Sequence, residues 1–161
     1  MSECCVVNTS PLIFLGNAGF LDFLKIHDMP VIVPDAVIHE LGLGSHYDDL
    51  VNLIQSQEWI TIVKSPDPRD ILRLWDLDPG EDSVLSYAME NPGSEIIVDD
   101  LQARRCARSL GIPVRGTLGL VLLARKLGRI SAARPVLEKM REKGMYLSDA
   151  VLDNALRLVD E

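Results

Sequence analysis

Short apolar runs alternate with longer segments of helical periodicity along this chain. The runs are rich in Val and Ile and predict short strands at residues 4–7, 31–33, 59–63, 95–98 and 112–114. Apolar residues recur at helical spacing in segments 11–24, 35–41, 48–57, 81–90, 101–110, 117–127, 132–143 and 148–159. Strands that alternate with helices of this length predict an α/β fold with a mainly parallel central sheet.

Glycine and proline mark the expected ends of these elements. A break in the first helix is expected near Gly16 or Gly19. Pro79-Gly80 predicts a turn ahead of the helix at 81–90, and segment 67–75 is either a polar helix or a loop. No linker or repeat interrupts this order, so residues 1–161 are predicted to form a single domain whose C-terminal helices occupy about 132–159.

The composition is that of a folded protein in a reducing compartment. The chain has 161 residues, of which 47% are apolar, and this is sufficient for one domain with a substantial core. No apolar run reaches the roughly 20 residues that a membrane-spanning helix requires. Glu3 and two cysteines stand where a signal peptide has basic residues, and the three cysteines lack metal-ligand spacing. These features predict a cytoplasmic protein without a membrane partner.

The net charge of −8 is unevenly distributed along the chain. Residues 1–100 carry a net charge of −14, whereas residues 101–145 carry +9. The basic segment begins directly after Asp99-Asp100 and includes Arg104, Arg105 and Arg108. Two interpretations remain open: a surface that binds a polyanion, or solvated helix faces that balance the acidic half or contact a partner protein.

Oxygen-bearing side chains follow two of the predicted strands. Asn8, Thr9 and Ser10 come directly after the first strand, and Asp99 and Asp100 follow the strand at 95–98. Parallel strands place their carboxyl ends at one edge of the sheet, where open α/β folds bind their ligands. With Glu40 and Glu81 these residues predict a site for Mg²⁺ or Mn²⁺ that acts on phosphate groups.

Each of these side chains also has an ordinary structural explanation. Either aspartate of the pair can cap the helix that follows it, and one of the two hydroxyls can cap the first helix. Glu81 can be stabilised by the dipole at a helix N-terminus. Glu40 can lie on the solvent-exposed face of its helix. The hypothesis of a metal site therefore depends on the whole set of residues. Asn8 is its weakest member, because an amide oxygen can bind a cation but contributes no charge.

The order of these motifs resembles that of a PIN domain. Residues 6–13 (VVNTSPLI) and 33–41 (VPDAVIHEL) resemble its first half, and residues 78–82 (DPGED) and 97–100 (IVDD) its second half. Residues 111–120 (GIPVRGTLGL) resemble the tail of small prokaryotic PIN-like proteins, which are related to VapC-type toxins of type II toxin–antitoxin pairs. The resemblance covers nearly the whole chain.

The resemblance implies a three-layer α/β/α fold and a metal-dependent ribonuclease that hydrolyses RNA phosphodiesters with Mg²⁺ or Mn²⁺. It also implies a homodimer and, if the protein is a toxin, an antitoxin protein as partner. By position, the metal-binding set comprises Asn8 in place of the first acid, Glu40, Glu81, and the pair Asp99 and Asp100, of which the four acids are catalytic.

Further roles follow from the same resemblance. Thr9 or Ser10 would position the phosphate or a water molecule, and Arg104, Arg105 and Arg108 would bind the RNA. Because Asn8 departs from the family pattern, the alternative is a catalytically weak or inactive PIN-like module that binds nucleic acid or protein.

Overall fold

The computed structural model describes residues 3–44 and 46–161. Its strands are β1 (Cys5–Val7), β2 (Val31–Pro34), β3 (Ile60–Val63), β4 (Glu95–Ile97) and β5 (Val114–Arg115). Its helices are α1 (Thr9–Ala18), α2 (Asp35–Leu43), α3 (Asp48–Gln55), α4 (Pro79–Glu90), α5 (Leu101–Ser109), α6 (Thr117–Lys126), α7 (Arg134–Glu142) and α8 (Asp149–Arg157). Two 3₁₀ helices span Leu21–Lys25 and Asp70–Trp75.

The five strands form one parallel sheet in the order β3-β2-β1-β4-β5. Helices flank this sheet, so the predicted α/β fold with a parallel central sheet is confirmed. All residues of β1, β2 and β4 are buried, which explains why β1 and β2 are continuous apolar runs and why β4 is apolar apart from Glu95, which pairs with Arg115. No helix in the described parts of the chain is both long and apolar enough to cross a membrane.

The strand order changes direction between β1 and β4. After β1 the chain builds β2 and β3 on one side of it, and then returns to add β4 and β5 on the other. In Cα register, Val6 of β1 lies between Ile32 of β2 and Ile96 of β4. A crevice at the carboxyl ends of strands is expected where the order reverses, which places Asn8 and Asp99 at its two sides.

The break expected near Gly16 or Gly19 in the first predicted helix, 11–24, is confirmed at Gly19, whereas the predicted start is wrong. α1 begins two residues earlier, at Thr9, and ends at Ala18 because Gly19 adopts φ +81° and closes the helix. The apolar residues beyond Gly19 belong to the separate 3₁₀ helix Leu21–Lys25. The N-cap of α1 is Asn8 without a side-chain cap, so neither Thr9 nor Ser10 caps this helix.

Pro79-Gly80 is not a turn ahead of α4 but the first two residues of the helix itself. Proline suits this position because the N–H it lacks would have no partner within the helix. Asp78 accepts a hydrogen bond from the Glu81 backbone N–H at 2.7 Å, and the Glu81 carboxylate accepts one from the Asp78 N–H at 3.1 Å. This capping box fixes the helix start and orients Glu81.

Candidate active site

A groove of about 910 Å³ opens at the carboxyl ends of β1, β4 and β5. Its lining consists of a polar set and an apolar set of residues, which are called its polar side and its apolar side. The polar side is formed by Ser10, Glu81, Asp99, Asp100 and Arg104. The apolar side comes from α1, α6, α8 and the loop before α8, and comprises Phe14, Leu118, Leu122, Met145, Tyr146, Leu147, Val151, Ala155 and Leu158. The predicted edge of the sheet is therefore a cleft into which three of the four predicted acids project.

Asn8 lies where β1 ends, beside the end of β4. Its backbone N–H donates to the Ile97 carbonyl at 3.0 Å, which ties the two strand ends together. The side chain is only 4% exposed, and its Oδ1 finds no hydrogen-bond partner among the described residues. A buried acceptor without a donor is costly and rare in proteins. Asn8 does not itself line the groove, but this unpartnered oxygen is suited to a cation or to a bound donor.

Asp99 is held by the N-terminus of α6. Its Oδ1 accepts from the Thr117 backbone N–H and its Oδ2 from the Thr117 hydroxyl, both at 2.7 Å. Burial raises the pKa of the Asp99 carboxyl above its ordinary value, although the Thr117 hydrogen bonds and the charge of Arg104 oppose this. The orientation of Asp99 is thus fixed before any ligand binds.

Asp100 is the N-cap of α5. Its Oδ2 accepts from the Ala103 backbone N–H at 2.9 Å, and the residue is exposed at the mouth of the groove. The capping role that the sequence left open for either aspartate therefore belongs to Asp100. Asp100 therefore caps α5 and also lines the groove.

Glu81 is a buried carboxyl group, with 9% of its surface exposed. Burial raises its pKa from 4.5 to about 7, and the nearby charges of Asp78 and Asp100 add to this effect. Neighbouring carboxyl groups with raised pKa values indicate a site at which the binding of a cation or a proton is favourable.

The raised pKa of Glu81 predicts a pH dependence of stability in the absence of divalent metal. Between pH 4.5 and 7 the folded state holds a proton that the unfolded state has lost, so the free energy of unfolding is expected to fall by about 3 kcal/mol as pH rises. Urea denaturation in EDTA measures this. The lowered pKa values of Asp35 and Glu161 act below this range, whereas the raised pKa of Asp99 adds to the fall in stability as pH rises above 3.8.

The Glu81→Gln variant should lose most of this pH dependence, since glutamine does not titrate. Glu58→Gln is the matched control, because Glu58 is exposed on the surface. A slope that is the same in wild type and Glu81→Gln would show that Glu81 is ionised normally in the folded protein.

Glu40 lies outside the lining of the groove. Its Oε1 accepts from the Gly80 backbone N–H at 2.8 Å, and its Oε2 accepts from the Thr9 hydroxyl at 2.7 Å. A Cβ at position 80 would lie 2.5 Å from Glu40 Oε2, so only glycine permits this approach. Glu40 thereby joins the first turns of α1 and α4, the helices that carry Ser10 and Glu81.

The three arginines predicted to bind RNA differ in position. Arg104 lines the groove, and a Cβ placed on Gly116 would lie 3.2 Å from Asp99 Oδ1 and 3.4 Å from Arg104 Nη1. Gly116 therefore allows these two side chains to approach each other. The buried Nε of Arg104 has no hydrogen-bond partner within the described residues. Arg105 and Arg108 are exposed on α5 and do not line the groove.

Several other cations of the basic segment are engaged within the protein. Arg115 pairs with Glu95, Arg125 with Glu161, and Arg141 with Asp149. These three arginines therefore balance acidic residues of the same chain, which is one of the two interpretations of the basic segment. Arg104, Arg105 and Arg108 form no ion pair in the described parts of the chain, so these three cations of α5 remain available to an anion.

The sequence reasoning missed two parts of this site. The first is Thr117, which donates hydrogen bonds to Asp99. Its position could have indicated this role, because it is a hydroxyl residue directly after Gly116, where a helix begins after a strand. The second is the apolar side, to which α8 and Tyr146 contribute. The sequence did not indicate it, because the apolar residues of α8 have the spacing found in any amphipathic helix.

The comparisons with known proteins agree with this fold. A family model described as a PIN domain matches residues 4–161, so the chain belongs to the PIN domain family. No curated protein sequence matches the chain at a significant level.

Among solved structures, that of the PIN domain endonuclease Utp24 is similar to this chain, with a TM-score of 0.55. The two share 15% sequence identity over 70% of this chain and 84% of the other. At this identity the likeness shows the fold, and the resemblance suggested by the motifs is confirmed.

Proposed function

We propose that this protein is a metal-dependent endoribonuclease that hydrolyses phosphodiesters of single-stranded RNA in the groove. The observation that carries the proposal is the convergence of Glu81, Asp99 and Asp100 on one cleft, beside Arg104. Membership of the PIN domain family and the similarity to the endonuclease Utp24 support this reaction class.

The donor set suits a hard divalent cation such as Mg²⁺ or Mn²⁺. Within the described residues, no three carboxylate, histidine or cysteine side chains form a ready-made metal cage. Mg²⁺ does not require one, because it keeps several waters and commonly uses one or two carboxylates together with substrate phosphate oxygens. The unpartnered Oδ1 of Asn8 and the protonation-prone Glu81 fit this mode of binding.

Different residues would hold the cation and position the groups that bind it. Glu81, Asp99 and Asp100 would hold the cation, with Asn8 as a neutral oxygen ligand. A bound divalent ion supplies charge stabilisation to the phosphate and lowers the pKa of a bound water. Thr117 orients Asp99, and the Glu40 carboxylate positions the helix starts that carry Glu81 and Ser10.

The phosphate would be bound by this chain's own donors. Arg104 presents a guanidinium group at the polar side of the groove, where it can pair with a phosphate oxygen. The Ser10 hydroxyl lines the same side, whereas the Thr9 hydroxyl is committed to Glu40. Of the two hydroxyls, we therefore assign phosphate or water positioning to Ser10. Arg105 and Arg108 would attract the strand from the exposed side of α5.

Single-stranded RNA is the proposed substrate because its backbone can enter a narrow cleft with unpaired bases. Cleavage of a single-stranded RNA of mixed sequence, followed by mass spectrometry of the fragments, tests the proposal. Internal fragments are expected with millimolar Mn²⁺ or Mg²⁺ and none in EDTA. Fragments that form equally in EDTA, or no fragments with either metal, would contradict it.

One observation favours a catalytically silent binding module as the second candidate. Both oxygens of Asp99 and both of Glu40 already accept hydrogen bonds, so fewer lone pairs remain for a metal. Such a module would bind RNA through the arginines of α5 without cleaving it. The toxin role, the antitoxin partner and the homodimer stay predictions.

A further inference from the structure

The apolar side of the groove is larger than a metal site requires. A hydrated cation needs only oxygen donors, whereas this cleft has a volume of about 910 Å³ and an apolar side built mostly from α6, α8 and residues 145–147. A volume of this size is typical of pockets that enclose an organic ligand. The substrate must therefore contact more of the protein than the acids alone.

Three exposed apolar side chains line this side of the groove. Tyr146 is 92% exposed, and Val151 and Leu158 are also exposed although all three line the groove. Tyr146 lies between α7 and α8 with buried Met145 and Leu147 on either side, so its backbone is anchored while its ring extends to solvent. An anchored aromatic ring at the edge of a cleft is suited to stacking.

The two sides of the groove together limit the chemistry of the occupant. Arg104, with its unpartnered Nε, favours an anionic group, and the apolar side favours a planar apolar group. Asn154 on the same side carries an amide that can both donate and accept hydrogen bonds. A nucleotide of a single strand has a phosphate and an unstacked base, and thus satisfies all three features.

We infer that the groove binds a nucleobase of the RNA strand against Tyr146 and α8 while the adjoining phosphate lies at Arg104 and the acids. Tyr146 is then a residue that selects single-stranded over paired RNA, because a paired base is not available for stacking. This inference rests on the proposed function and specifies the substrate class of the same site.

Binding of fluorescein-labelled eight-nucleotide RNA, measured by anisotropy in EDTA, tests the inference without cleavage. The probes are a base-bearing strand and a strand of the same length with abasic residues. Wild type is expected to bind the base-bearing strand at least about fivefold more tightly than the abasic strand. Tyr146→Ala should weaken binding of the base-bearing strand by about 5- to 150-fold and leave the abasic strand unchanged.

Tyr146→Phe should retain the wild-type affinity, since phenylalanine keeps the stacking ring. Leu74→Ala is the matched control, because Leu74 is 86% exposed and does not line the groove. Equal affinity of wild type for both strands, or unchanged binding by Tyr146→Ala, would overturn the inference. A change of oligomeric state in Tyr146→Ala without a change in RNA affinity would also overturn it, and would assign the apolar side to contact between copies.

Failure of the inference can be separated from failure of the proposed function. Cleavage of the base-bearing strand with Mn²⁺, combined with equal binding of both strands, would refute only the role of Tyr146. Absence of both cleavage and binding would refute the ribonuclease and the base site together.

Discussion

Replacing Asp99 and Asp100 together by asparagine is expected to reduce metal-dependent RNA cleavage by at least about 100-fold. Loss of a group that merely orients a metal ligand already costs about 10- to 100-fold, and this change removes two charged groove residues. The fold should persist, because asparagine retains an oxygen that can accept from the N-terminus of α6 and can cap α5. Initial cleavage rates and thermal denaturation measure the two effects.

The matched control for this change is the pair Asp48→Asn and Asp49→Asn. These two acids are also adjacent, but they are exposed in the first turn of α3 and lie outside the groove. The control should cleave RNA at the wild-type rate. Undiminished cleavage by the Asp99 and Asp100 variant would show that the activity belongs to another site or to a contaminating nuclease.

Asn8→Asp is expected to bind Mn²⁺ at least about tenfold more tightly than wild type, with a corresponding gain in cleavage at low metal concentration. The substitution adds a negative charge at a buried position whose Oδ1 is unpartnered in the described structure. The same charge should lower the free energy of unfolding in EDTA by about 2 kcal/mol, because nothing compensates its burial. Saturating Mn²⁺ should restore stability.

Asn17→Asp on the exposed surface of α1 is the control for Asn8→Asp. It introduces the same charge in solvent and should leave metal affinity unchanged. Because this charge lies in the last turn of α1 and opposes the helix dipole, stability in EDTA should fall by no more than about 1 kcal/mol. If Asn8→Asp binds Mn²⁺ no better than wild type, position 8 does not contribute to a metal site.

The fold was predictable from the sequence to a large extent, because buried parallel strands leave a simple pattern. Cys5–Val7 and Val31–Pro34 are continuous apolar stretches, and their burial on both faces produces that pattern. Element ends were harder to predict, since they depend on contacts that are distant in sequence. The start of α4 at Pro79 depends on Asp78 and on Glu40, a residue nearly forty positions away.

The polar side of the candidate site was predictable because it follows from strand ends. Asp99 and Asp100 come after β4 and line the groove together with Glu81. The side-chain partners were harder to predict. The position of Thr117 at a helix start marks it as a residue of interest but does not identify Asp99 as its partner, and nothing local in the sequence indicates that Glu40 receives its hydrogen bonds from Thr9 and Gly80. These contacts arise from packing between elements.

The apolar side of the groove could not be predicted from the pattern of apolar residues in the sequence. Val151 and Leu158 repeat at the spacing of an amphipathic helix, which predicts burial in the core. Both are exposed at the cleft, because α8 presents them beyond the core that its own Leu152 and Leu156 enter. Only the tertiary arrangement distinguishes these two sets of residues.

Calorimetric titration of the wild-type protein with Mn²⁺ tests most directly whether the groove carboxylates form a metal site. We expect saturable binding at or below millimolar Mn²⁺, and we expect its loss in the variant that combines Glu81→Gln with Asp99→Asn. Saturable binding that persists in this variant would place the metal elsewhere. Absence of binding by the wild type at millimolar Mn²⁺ would contradict the proposed ribonuclease and favour the binding module.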